Sequence, residues 1–211
     1  MAFGGGLPQQ GDLVDRYTAG DRSFRGENWR GAFYANVDLA NADLSGTNFA
    51  FANLSNANLV GVILAGADLS GTDVQGANLI GANLAGARLI ATRMSYAKLL
   101  GADLTNANLS SGNLSGASLV CAELMGAKLM GVDASHTSFA GSDLTSVDFR
   151  NANLQYAIFT DTNLKDINFS KANLAEADFV RAINLTPDQV ISAVNWQSAK
   201  YHADFQRLLP I

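Results

Sequence analysis

The chain has 211 residues, 48% of them hydrophobic, and 14 basic against 19 acidic side chains give a formal charge of -5. That is enough apolar material for one domain with a continuous core, while so mild a charge disfavours direct binding to nucleic-acid phosphate and is too weak alone to argue for imitation of that polyanion. The single cysteine, Cys121, excludes an internal disulfide and gives no support to a cysteine-based metal site.

From the N-terminus, Met1 to Gln10 shows no basic start followed by an apolar stretch, and no run reaches the roughly eighteen residues of a membrane span. A cytoplasmic protein without membrane insertion is expected. The segment Asp12 to Ala19 places Leu13, Val14 and Tyr17 on one helical face, with Gly20 as the stop. Residues 1–21 are therefore expected to carry a short helix that covers one open end of the core.

From Arg22 to Arg181 one cadence of five residues holds without a slip. Every fifth position from Tyr34 to Phe179 is Leu or Phe, apart from Tyr34 itself, Val74, Met94 and Ala134, and two residues before each stands a small or β-branched residue such as Ala42, Thr47, Val62 or Ser142. A spacing of two keeps both side chains on one face of an extended segment, and the following spacing of three forces a corner. An α-helix cannot hold this period, because 3.6 residues per turn would carry the apolar pair round its whole surface. Short extended segments joined by corners and wound into a coil can, with neighbouring coils paired as parallel ladders.

The aromatic large positions recur at a step of twenty, as Phe139, Phe159 and Phe179, as Phe149 and Phe169, and as Trp29 and Phe49. Four units per coil fits this step, giving about eight coils and a length of roughly 38 Å at about 4.8 Å per coil. Arg22 and Glu27 stand where small residues should point inward, beside the bulky Phe24, Trp29 and Tyr34, so the first coil reads as a capping layer. Ala134 at a large position predicts a locally underfilled layer, relieved by Val132.

The motif A(D/N)LXX, seen in Ala42-Asp43-Leu44-Ser45-Gly46 and Ala107-Asn108-Leu109-Ser110-Ser111, resembles the pentapeptide-repeat family. The resemblance implies an all-β, right-handed quadrilateral parallel β-helix, here over residues 22–181 with short helical caps in 1–21 and 182–211. The segment Tyr17 to Phe24 resembles the opening of cyanobacterial members, and the tail with Asn195-Trp196 and Tyr201 resembles the C-terminal segment of many bacterial ones.

Past Arg181 the cadence ends. Thr186 as N-cap, Pro187 at the first helical position and Asp188 in the first turn predict a helix whose apolar face is Val190, Ile191 and Val194, and a second short helix is expected within Ala203 to Leu209. This tail is read as the second cap.

Neither His136 nor His202 belongs to a pattern that a nucleophile or a metal needs. Asp38, Asp43, Asp68, Asp103 and Asp143 occupy the outward position just before the large residue, which Asn53, Asn78, Asn108 and Asn153 fill equally well. An essential acid could not be exchanged for an amide, so these side chains are assigned to hydrogen bonding near the corners. No enzyme, cofactor or metal is expected.

Outward departures from the repeat carry the remaining information, because no core requirement selects them. The position after each large residue gives one apolar column, Ala40, Val60, Ile80, Leu100, Val120, Ala140, Thr160 and Val180, followed by Gly61, Gly81, Gly101, Cys121 and Gly141. The candidate interaction surface is Val60, Ile80, Leu100, Val120 and Val180. A candidate basic belt, Arg88, Arg93 and Lys98, replaces Asn or Asp on three successive faces, while Asp43, Asp103, Glu123 and Asp143 form an acidic stripe on the fourth. Tyr96, His136 and Tyr156 share one outward column. These features point to a non-enzymatic protein-interaction scaffold or regulator with a protein partner, either a monomer or a weak homodimer. The alternative is a DNA-mimicking protector or inhibitor of DNA gyrase, which resistance proteins of the family achieve with an elongated, strongly acidic dimer.

Overall fold

The structure is a computed structural model that describes residues 10–210. The expectation drawn from residues 1–9, that no targeting or membrane segment opens the chain, lies outside the described residues. Among the described residues, no helix is long and apolar enough to cross a membrane.

Each five-residue unit makes one short wall and one corner. The residue before the large position pairs in parallel with the residue twenty further on, from Ser23 with Asp43 through to Asn163 with Ile183. Four units therefore separate paired rungs, as the aromatic spacing predicts. We number the walls by their large inward residues: wall 1 contains Leu44, wall 2 Phe49, wall 3 Leu54 and wall 4 Leu59, each column repeating every twenty residues.

The corner is a hydrogen-bonded turn. The Thr47 N–H donates to the Leu44 carbonyl at 3.2 Å, and Gly46, the third residue of that turn, has φ 64°. Positive φ at this place is the feature of type II turns, and Gly or Asn accepts it at least cost. The same corner position holds Asn56 at φ 56° and even Tyr96 at φ 59°. Asn and Asp before the large residue complete the corner from outside, since the Ser55 N–H donates to Asn53 Oδ1 and the Thr105 N–H to Asp103 Oδ1, both at 2.9 Å. Either side chain offers that oxygen, which explains their interchange.

Inside, the large and small columns form one core without exposed members from Leu39 to Leu174. Where the small residue is Thr or Ser, its hydroxyl donates to a backbone carbonyl, as Thr72 does to Phe49 at 2.7 Å, so no buried hydroxyl goes unpaired there. Ala134 and Val132 are both buried. Ala134 shares its layer with Phe139, the first of the stacked phenylalanines, so a larger ring on the adjoining wall accompanies the smaller side chain.

Helix α1, Gln10–Thr18, lies at the N-terminal end with Leu13 fully buried and Val14 and Tyr17 packed on the core. Arg22 and Glu27 do not enter the interior: the Arg22 guanidinium sits over the Tyr17 ring at 3.8 Å, and Arg16 binds Glu27 at 3.0 Å and Asp21 at 2.9 Å. The charges turn outward to meet the helix, because a buried ion without such partners would cost several kcal/mol.

At the other end the pairing runs past Arg181, where the cadence alone sets the boundary. Asn173 pairs with Val194 and Asp178 with Lys200, at offsets of 21 and 22 residues. The chain makes a further irregular turn in which helix α2, Pro187–Ile191, fills the place of wall 2. Thr186 caps α2, with Gln189 closing a capping box. Val190 is buried as expected, but Ile191 and Val194 are exposed, because α2 ends after five residues and Val194 already belongs to the ladder. A 3₁₀ turn, Trp196–Ser198, and helix α3, Ala203–Gln206, follow, the latter shorter than its apolar pattern suggests.

Candidate functional site

The predicted apolar column lies on wall 4, on the turn residue just after each large position. Val60, Ile80, Val120 and Val180 are half-buried, whereas the longer side chain of Leu100 is 44% exposed. Val180 stands apart, separated from Val120 by Ala140 and Thr160. The continuous strip is therefore Val60, Ile80, Leu100 and Val120.

The outward column Tyr96, His136 and Tyr156 borders this wall, and Ile158 lies on it. The corner opening this wall carries Tyr96, 73% exposed, then His136 and Tyr156, whose rings stack at 4.7 Å. Tyr96 lies along the edge over Gly116, where an added Cβ would come within 2.7 Å of the ring. Ile158, in the outward position that Asn or Asp usually fills, is 40% exposed on the same wall. The signal was in the sequence, since Tyr96 precedes Leu100 by only four residues. The opposite corner is low: Gly81 and Gly101 have open space where a side chain would begin.

The belt residues diverge. Arg88 is on wall 2, Arg93 on wall 3 and Lys98 on wall 4, so they point in three directions and one flat partner reaches one of them. Arg93 is paired with Asp73, and Arg88 donates to the Ser70 hydroxyl at 3.1 Å. None of the three can supply the Oδ1 that closes a corner, so each position forgoes a hydrogen bond of about 0.5–1.5 kcal/mol.

Charge separates by wall. Wall 2 collects Arg30, Arg88, Lys128, Arg150 and Lys171 against Glu27, Asp68 and Asp148, while wall 1 collects Asp43, Asp103, Glu123, Asp143 and Asp166 against Arg22, Arg25 and Lys165. Several carboxylates are tied to structure. The Arg150 side chain holds the Asp148 carboxyl below its ordinary range, and the Ser45 hydroxyl does the same for Asp43.

Among the described residues no three His, Cys, Asp or Glu side chains come close enough to share a metal ion. Among the described residues a cleft of ≈ 130 Å³ lies at the C-terminal end between Trp196, Tyr201, Gln206 and Leu209. Small-molecule sites are usually larger, about 300–1,000 Å³.

Residues 102–179 match the family description "Pentapeptide repeat region", and residues 35–71 and 72–110 match "Pentapeptide repeats (8 copies)". No curated protein matches. Among solved structures the chain is similar to HetL, a pentapeptide repeat protein involved in heterocyst differentiation regulation from the cyanobacterium Nostoc sp. strain PCC 7120. Identity there is 30% over 90% of this chain and 93% of that chain, with a TM-score of 0.41. QnrB1, a plasmid-mediated fluoroquinolone resistance protein, is 23% identical over 89% of this chain and 86% of that one, with a TM-score of 0.50. The pentapeptide repeat protein alr5209 from Nostoc PCC 7120 is 27% identical over 52% of this chain and 84% of that chain, with a TM-score of 0.39.

Proposed function

The chain belongs to the pentapeptide-repeat family, whose members fold as right-handed quadrilateral β-helices, and on that premise we propose that it is a non-enzymatic, cytoplasmic scaffold or regulator that presents wall 4 to a protein partner. One observation carries the reading. On wall 4 the apolar strip Val60, Ile80, Leu100 and Val120 runs beside an exposed aromatic edge and Ile158. Aromatic and aliphatic side chains grouped on a flat, rigid support are what the centre of a protein interface requires. The belt enters only through Lys98, which shares this wall.

The alternative of duplex imitation at gyrase asks for negative charge along the prism, and wall 2 carries the opposite sign over much of its length. The added protein should leave gyrase supercoiling unchanged.

The test is chemical cross-linking of the full chain in extracts of its source cell, followed by mass spectrometry. Leu100→Asp and Tyr96→Ala should each remove the principal partner while circular dichroism stays that of the parent. An unchanged set of cross-linked proteins with both variants would overturn the assignment to wall 4.

A further inference from the structure

We propose that the partner element seated on wall 4 is a basic, amphipathic α-helix of another protein, lying along the prism axis over the corner between wall 4 and wall 1; this rests on wall 4 being the working surface. Three observations converge on that chemistry. The strip Ile80, Leu100 and Val120 supplies the apolar contact. Immediately round the corner, on wall 1, Asp103, Glu123 and Asp143 stand on successive rungs, Asp103 paired with Glu123 and Glu123 with Asp143. Between the two columns the edge is Gly101, Cys121 and Gly141, so little rises between the apolar and acidic rows.

Asp103 and Asp143 close their corners, but the repeated charge of the row opposes the ladder. Like charges directly opposite each other in a ladder are destabilising. Among the described residues none of the three carboxylates takes part in an ion pair, and the three are not close enough to share one metal ion. A row of separate cations, one per rung, would neutralise them, and that is what a line of Lys or Arg side chains provides.

Spacing selects the secondary structure of the partner. Two rungs span about 9.6 Å at about 4.8 Å each. On an α-helix, residues i and i+7 lie about 10.5 Å apart with i+3 or i+4 between them, so three side chains of one stripe meet three rungs. An extended strand along the same axis repeats its side chains every 6.6–6.8 Å or so and is about 3–4 Å out of step after two repeats. The helix follows both rows, with its Leu-type stripe on Ile80, Leu100 and Val120 and its basic flank toward Asp103, Glu123 and Asp143.

The experiment uses the full chain and a fluorescein-labelled, helix-forming peptide of about 18 residues, or five turns, with Leu at i, i+3, i+4 and i+7 and Lys along one flank. A counterpart with Glu for Lys and a scrambled peptide of identical composition serve as comparisons. Anisotropy should show binding of the basic peptide alone, with peptide helicity rising on binding. Leu100→Asp should weaken it about tenfold or more. The combined variant Asp103→Asn, Glu123→Gln and Asp143→Asn keeps the Oδ1 atoms with which residues 103 and 143 close their corners, so it should melt no lower than the parent. It should nevertheless bind about five- to tenfold less tightly and lose most of the salt dependence.

Equal binding of the Glu peptide or the scrambled peptide would overturn the proposal, as would an unchanged affinity in the combined variant. Cross-linking in extract separates the two readings. If Leu100→Asp removes the natural partner and the combined variant does not, wall 4 is still the working surface and the basic helix is wrong. If neither of these variants nor Tyr96→Ala alters the partners, both readings fall.

Discussion

At the N-terminal end of the prism a nine-residue helix lies across the first coil, whereas at the C-terminal end the chain goes on pairing with the coil before it and, among the described residues, forms no helix longer than five residues. The first solution covers the core with Leu13 and fixes the cover by charge, through Arg16 to Asp21 and Glu27. The second prolongs the core itself. Tyr201 stacks on Phe179 at 5.5 Å, Phe179 on Phe159 at 4.8 Å, and the Tyr201 hydroxyl donates to the Trp196 carbonyl. Both ends must hide apolar side chains and occupy free ladder edges. The comparison shows that a regular coil can be ended by a separate element laid over it or by a gradual loss of register.

The sharpest way to break this comparison is at Phe179. Phe179→Ala removes the ring between Phe159 and Tyr201 and should cost about 3–5 kcal/mol in denaturant unfolding, with amide exchange accelerated over 183–209 before α1 responds. Leu13→Ala should cost about 2–4 kcal/mol and have the opposite distribution, fast exchange in α1 and the first coil with the tail protected. Exchange changing equally at both ends in either variant would mean that the ends are not independent.

Acid should divide the ends as well, whereas alkali should act on both. Arg16 holds the Asp21 carboxyl below its ordinary range, so that contribution is present above the unfolded value of about 3.9 and is lost as pH falls through the folded value. Burial pushes the Tyr34 hydroxyl up to about 12 and the Tyr201 hydroxyl higher still. Their contribution is complete below about pH 10 and is lost as pH rises beyond it. Melting temperatures recorded below pH 4 and above pH 10 should both fall, with α1 exchanging first in acid; a tail that opened before α1 in acid would contradict the ion-pair account. The smallest effect is at the α2 cap, where Thr186→Ala should cost about 1 kcal/mol, seen as faster exchange of the Gln189 and Val190 amides.

The interior was legible because one physical demand, keeping a small and a large apolar side chain inside, repeats at fixed spacing from Leu39 to Phe179. The exchange of Asn for Asp was legible for the same reason, since both present the oxygen that closes the corner. The tail was less so. Val194 and Lys200 pair at offsets of 21 and 22, and a residue or two inserted ahead of each erases periodicity while leaving the hydrogen bonds intact. On wall 4 the columns could be read but their exposure could not, because a one-dimensional pattern does not say how far each side chain projects from its turn: Val120 is half covered where Leu100, flanked by Ile80 and Val120, is not. Tyr96 and Tyr156 border that wall through their chain neighbours Leu100 and Ile158, a relation that repeat offsets of twenty do not display.

The ladder bonds between rungs all run along the prism axis, as in the Leu44 N–H to the Ile63 carbonyl and the Leu64 N–H to the Asn83 carbonyl, both 2.7 Å. Tension applied between the two ends pulls directly against these bonds and loads the outermost rung first, so the molecule should yield as a zipper does and not as a sheared sheet. Each released coil of twenty residues lengthens the chain by roughly 65 Å at 3.3–3.6 Å per residue. In an optical trap this gives a staircase of similar low-force steps, and a single high-force rupture would show that the coils share load in a way their bond directions do not suggest.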